Sequence, residues 1–106
     1  MSASRLDTFR AMVAKDPEHL LSRFGLANEA AKAGFDEEAL EHYQVYLAGY
    51  DDEGNGWGRM AEVLARLGRT DEAREALRRG MEASERYGHP GMKAELEARL
   101  EELDEG

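Results

Sequence analysis

The chain has no cysteine, no isoleucine, only two prolines and no long apolar run. Without thiols there are no disulfides, no cysteine-ligated zinc and no thiol catalysis. Valine and threonine together number five. With so few β-branched residues an all-β fold is excluded. No stretch approaches the roughly 20 apolar residues of a membrane-spanning helix. The opening MSASRLDTF lacks a basic segment followed by an apolar one, so no signal peptide is read and the expected address is the cytoplasm. Positive charge is also scarce. Lysine and arginine number 14 against 23 acids, a formal charge of −9. Such a chain repels phosphate backbones and anionic bilayers, so neither nucleic acid nor membrane is an expected partner.

What is present points one way. The 106 residues suffice for one domain, 1–106, and 42% of them are apolar, enough for a folded core. Sixteen alanines, sixteen glutamates, twelve leucines and eleven arginines favour helix.

Sliding the chain along itself finds a repeat at an offset of 34 residues. Leu26 aligns with Met60, Ala27 with Ala61, Ala31 with Ala65 and Lys32 with Arg66. Gly34 aligns with Gly68, Glu38 with Glu72, Ala39 with Ala73, Glu41 with Glu75, Tyr43 with Leu77 and Leu47 with Met81. The register runs backwards too, pairing Phe9 with Tyr43 and Val13 with Leu47. Apolar spacing predicts helices over 3–15, 19–33, 36–47, 56–67, 70–87 and 91–103. Asp16-Pro17 ends the first, because proline disfavours helix in the residue before it. Gly34 and Gly68 are read as left-handed C-terminal caps, and Thr70 as an N-cap. Ala39 and Ala73 let antiparallel helices approach closely. Met92, Leu96, Leu100 and Leu103 share one face of the last helix.

These residues resemble the tetratricopeptide repeat (TPR) family, whose unit is a 34-residue helix–turn–helix. Trp57, Met60, Ala61, Leu64, Ala73, Leu77 and Gly80 occupy motif places in residues 54–87, the second repeat. Leu26, Ala27, Ala30, Ala39 and Tyr43 do so in residues 20–53, the first. Residues 3–17 then form an N-terminal half-repeat helix, 88–103 a capping helix and 104–106 a tail. The implied fold is all-α, an antiparallel helix-pair array of about six helices. Arg23 stands where the motif has tryptophan, Ala30 where it has tyrosine, Tyr46 and Gly80 where alanine is usual, and Asp51 where it closes on proline. Pentatricopeptide repeats have similar length but bind RNA, which the charge of −9 opposes.

The resemblance implies a non-catalytic interaction module that binds a peptide or helix of a partner protein in a concave groove lined by the first helix of each pair. Carried onto this chain, the groove residues are Leu21, Phe24, Asn28, Ala31 and Lys32 from the first repeat. From the second they are Asn55, Gly58, Arg59, Glu62, Ala65 and Arg66. Residues 20–33 and 57–68 each carry a net +1, whereas 36–56 hold seven acids and no base. That contrast suggests a ligand with acidic residues or a free C-terminal carboxylate. Asn28 falls where carboxylate-clamp TPRs use asparagine, and Phe24 where they use lysine. The alternative is a structural protein that self-assembles into a homodimer without a peptide ligand.

No catalytic or cofactor site is expected. Asp51, Glu53, Asn55, Gly56 and Glu62 follow part of a calcium-loop spacing, but the third ligand place holds glutamate and Trp57 onwards belongs to a helix. The inter-repeat turn explains these residues, and no metal is assigned. His19, His42 and His89 form no ligand spacing, and Glu38 and His42 are read as a surface pair one turn apart. Tyr46 and Tyr50 are the aromatic residues whose exposure would matter.

Overall fold

The computed structural model describes residues 4–106. Position 3, where the sequence starts the first helix, lies outside the described residues. Six α-helices follow in order: α1 Arg5–Lys15, α2 Leu20–Lys32, α3 Asp36–Gly49, α4 Asn55–Arg66, α5 Thr70–Arg86 and α6 Pro90–Glu105. No strand occurs among the described residues, and the all-α reading stands.

Local chemistry sets the ends of these helices. The Ser4 hydroxyl caps α1 by accepting from the Asp7 amide at 3.1 Å. His19 caps α2 through Nδ1, which accepts from Ser22 N–H at 3.2 Å. Gly34, Gly68 and Gly88 follow α2, α4 and α5 at φ of 88°, 77° and 73°. The amides just beyond them, of Phe35, Arg69 and His89, each reach back to a carbonyl five residues earlier at 2.8 Å. Glycine takes that left-handed conformation without the Cβ clash that penalises other residues. Thr70 differs from its expected role. It is the first helical residue of α5, and Arg69 stands at the N-cap without a side-chain hydrogen bond.

The helices form two compact units that divide between Tyr50 and Asp51. In the first, α1 and α3 both pack on α2. Its core holds Val13, Leu26, Ala27, Ala30, Ala39, Leu40, Tyr43 and Tyr46. The Phe9 ring lies so close over Gly25 that any Cβ there would collide with it. The Arg10 guanidinium grips Glu38 with two bonds, Nε to Oε2 at 2.9 Å and Nη2 to Oε1 at 2.7 Å, tying α1 to α3.

The second unit is α4 and α6 packed on α5. Met60, Ala61, Val63, Leu64, Ala73, Ala76, Leu77, Ala83 and Leu96 are buried. Leu96 of α6 lies between two glycines. A Cβ built on Gly58 of α4 would stand 2.8 Å from its Cδ2, and one on Gly80 of α5 would stand 2.9 Å from its Cδ1. This explains why Gly80 occupies a place where the repeat pattern has alanine. The extra methyl would meet Leu96 on one side and the Trp57 Cβ, at 3.0 Å, on the other.

The residues that open the second unit are held locally. Asp51 accepts from Arg86 Nη2 at 2.9 Å and from the Tyr87 hydroxyl. Glu53 lies 3.2 Å from His89 Nε2. Buried Asp52 accepts from the Gly54 and Gly56 amides, both at 2.8 Å, and so caps α4. The calcium-like spacing is therefore interrupted. Its glycine already lies inside α4, and Asp51 and Glu53 face residues at the end of α5 and the start of α6.

Candidate functional site

The expected groove residues divide between the units. Leu21, Phe24, Asn28 and Lys32 lie on α2, and Asn55, Arg59, Glu62 and Arg66 lie on α4. Their environments differ.

On α2, Leu21 is exposed. Phe24 is half-buried and engaged on its own unit. It stacks on Tyr46 at 4.5 Å between ring centroids and meets Tyr43 edge-on at 6.1 Å. Tyr46 stacks in turn on Tyr50 at 5.1 Å. Tyr46 is buried and Tyr50 is exposed. The ladder explains two departures from the repeat pattern. Arg23 does not enter the core in place of tryptophan but turns back to donate to the Pro17 carbonyl at 2.9 Å. The large Tyr46 fills the space beside Phe24. Asn28 is held as well, its Oδ1 accepting from the Tyr43 hydroxyl at 2.6 Å. Lys32 is exposed and lies 3.9 Å from Glu29.

His42 corrects the expectation of a surface pair with Glu38. It is buried, and its Nδ1 lies 3.1 Å from Arg23 Nη1. Guanidinium only donates, so Nδ1 accepts and the imidazole is neutral. Burial pushes the His42 pKa below its ordinary value, and Arg23 adds to the effect against the pull of Glu41 and Glu38. Glu38 belongs to Arg10, whose hydrogen bonds hold the carboxyl below its usual range.

On α4 the residues open onto a cleft. Asn55, Arg59 and Glu62 line one wall of a depression of about 460 Å³, and Met92, Glu95 and Arg99 of α6 line the other. Arg59 Nε donates to Asn55 Oδ1 at 3.4 Å and, among the described residues, pairs with no carboxylate. Arg66 pairs with Glu62 at 3.1 Å, and Arg99 with Glu95 at 2.9 Å. Gly58 makes the cleft possible, because only a residue without a side chain admits Leu96 this close to α4. The α6 wall was not read from sequence, where this helix served as a cap. The available signal was Gly58 itself, a glycine inside a helix, which marks a close approach.

At the other end of the same helices a second depression of about 540 Å³ lies over Ala61, Ala65, Leu77 and Leu103. Glu62 and Arg99 border both depressions. Among the described residues no group of three or more histidines and acids is placed to hold a metal ion. No described helix is long and apolar enough to cross a membrane.

Comparison with known proteins agrees with this architecture. The sequence model of the tetratricopeptide repeat matches residues 1–84. A TPR repeat-containing protein of Pseudomonas aeruginosa is 27% identical over 99 residues, spanning 93% of this chain and 94% of its own. The crystal structure of PcrH in complex with the chaperone binding region of PopD superposes with a TM-score of 0.84 at 22% identity, covering 93% of this chain and 75% of that one. A Bordetella parapertussis protein solved in solution gives 0.82 at 24% identity, with 98% and 90% covered. These two likenesses show the fold, and the family model extends over most of the sequence. The chain belongs to the tetratricopeptide repeat family.

Proposed function

We propose that this chain is a non-catalytic protein–protein interaction module with a cytoplasmic address, which takes a peptide or helix of a partner protein on the exposed face of α4. The observation that carries the reading is the α4–α6 cleft, an open channel bordered by backbone-close Gly58 and by polar side chains from two helices. A bound polypeptide segment is also what the PcrH crystal contains, in its case the chaperone binding region of PopD. The ligand carries an acidic residue or a free carboxylate. Arg59 stands at the Asn55 end of the cleft with only a neutral partner. Lys32 of α2 offers a second exposed cation in the first unit.

A pull-down from source lysate with the native chain and with a Lys32→Glu, Arg59→Glu, Arg66→Glu variant tests this. These are exposed positions whose pairs contribute a few tenths of a kcal/mol each, about 0.3–0.5, so helical circular dichroism is expected to persist. A partner held by the native chain and lost by the variant supports the reading. Equal capture moves the interface elsewhere. No partner together with a dimeric native chain favours self-assembly.

A further inference from the structure

We propose that the α4–α6 channel ends in an anchor pocket that accepts one bulky apolar side chain of the partner's segment, flanked by lysine or arginine. The proposal rests on the reading above and adds the chemistry of the bound residue.

Three observations carry it. The first is shape. Gly58, Ala61 and Ala65 succeed one another along α4, so on that line the helix offers only small side chains, and its Glu62 stands beside them. The result is the depression of about 540 Å³, within the roughly 300–1,000 Å³ range of ligand pockets. Its floor is Leu77, which is almost fully buried, and half-buried Leu103 forms the far wall.

The second is apolarity. Ala61, Ala65, Leu77 and Leu103 present carbon to the opening, and the polar groups Glu62, Arg99 and Glu102 stand around it. An apolar concavity with a polar border suits an aliphatic or aromatic side chain.

The third is charge. The two helices run parallel here, because residues 55–62 face 92–99 at one end and 61–65 face 99–103 at the other. The pocket therefore lies towards both C-termini, the negative ends of their dipoles. The last turn of α4 carries Arg66, which pairs with Glu62, and the last turn of α6 contains no basic residue to offset the dipole. Arg99 is engaged by Glu95, and Glu62 by Arg66. Among the described residues no cation pairs with the Glu102 carboxylate. A basic neighbour of the anchor side chain would supply it. This is the opposite polarity to the Asn55 end, so one ligand can satisfy both ends only with its acidic group towards Asn55 and its basic-flanked anchor towards Leu103.

The test uses the capped peptide acetyl-Gly-Lys-Leu-Lys-Gly-amide, titrated into the 15N-labelled full chain. Amide shifts are expected at Ala61, Ala65 and Leu103. Replacing the peptide leucine by alanine is expected to weaken binding about fiftyfold, the cost of three buried carbons. Replacing both lysines by glutamate is expected to abolish binding at low salt. In the protein, Ala65→Trp fills the pocket from an exposed position and is expected to remove the shifts while leaving the fold, checked by dispersion elsewhere in the spectrum. Glu102→Gln is expected to weaken the lysine peptide and not a glycine-flanked one. No shifts at these amides, equal binding of the alanine peptide, or binding retained by Ala65→Trp would each overturn the proposal. So would broadening at Ala65 and Leu103 that disappears on dilution without peptide, which assigns the pocket to a second copy. Failure here is separable from failure of the interaction reading. A lysate partner lost with Arg59→Glu but retained by Ala65→Trp keeps the module and removes the anchor.

Discussion

Asp52 shows how much one side chain can hold. Its carboxylate is buried and accepts from two backbone amides at the start of α4. Asp52→Ala leaves both donors without their acceptor and removes the anion from the positive end of the helix dipole. The expected loss is about 2 kcal/mol, read from chemical denaturation. His42 and Glu38 set two separate pH windows. The folded-state pKa of His42 lies below its unfolded value near 6.5, so the unfolded chain binds the proton more readily and stability falls as pH drops below about 6.5. Glu38 has a depressed folded-state pKa, so its contribution is present above about 4.5 and is lost as pH falls through the folded value. In melts across pH 7.5 to 3, His42→Gln is expected to flatten the upper window and Glu38→Gln the lower one. An unchanged slope near pH 6 in His42→Gln would assign that dependence to another group.

At the scale of elements, α6 is retained by one residue more than by its sequence pattern. Leu96 alone is buried on this helix, and Met92, Leu100 and Leu103 are half-buried. Both Leu96 methyls fit against glycines of other helices. Leu96→Ala is expected to cost about 3 kcal/mol. Hydrogen exchange is expected to rise first in residues 90–105, ahead of α4 and α5. Gly58→Val is expected to displace α6 while leaving α4 helical, because valine keeps the helix but occupies the Leu96 site. A structure or spectrum of that variant with α6 in its native place would contradict this account. The helix ends, by contrast, were legible from local sequence. Gly34 and Gly68 cap α2 and α4 as read, since a glycine cap depends on backbone geometry within a few residues. Thr70 was not legible as a first helical residue, because threonine serves at either side of that boundary and the preceding glycine cap decides where the next helix begins.

Across the whole molecule the formal charge of −9 concentrates in residues 36–56, with a second acidic excess after residue 88. Among the ion pairs, many join residues three or four apart and contribute little each. Like-charge repulsion is then the larger salt-sensitive effect. The melting temperature is expected to rise by a few degrees, about 2–5, between 10 mM and 300 mM salt. A fall would mean that the Arg10–Glu38 and Arg74–Asp104 bridges outweigh the repulsion.

Helix number, the 34-residue period, the glycine caps and the family were all determined by the sequence alone, because propensity, periodicity and capping act over short stretches of one chain. The α2 and α4 faces were assigned from the family resemblance, and both carry the named residues on exposed or half-exposed surface. Tertiary structure decided the rest. It buried His42 against Arg23, stacked Phe24 on Tyr46 and turned Asp52 into a cap, and it placed α6 along one wall of the cleft. These outcomes depend on which helices meet at which residues. A glycine reads the same in sequence whether it bends a turn or receives a leucine, and only the packed neighbour distinguishes the two.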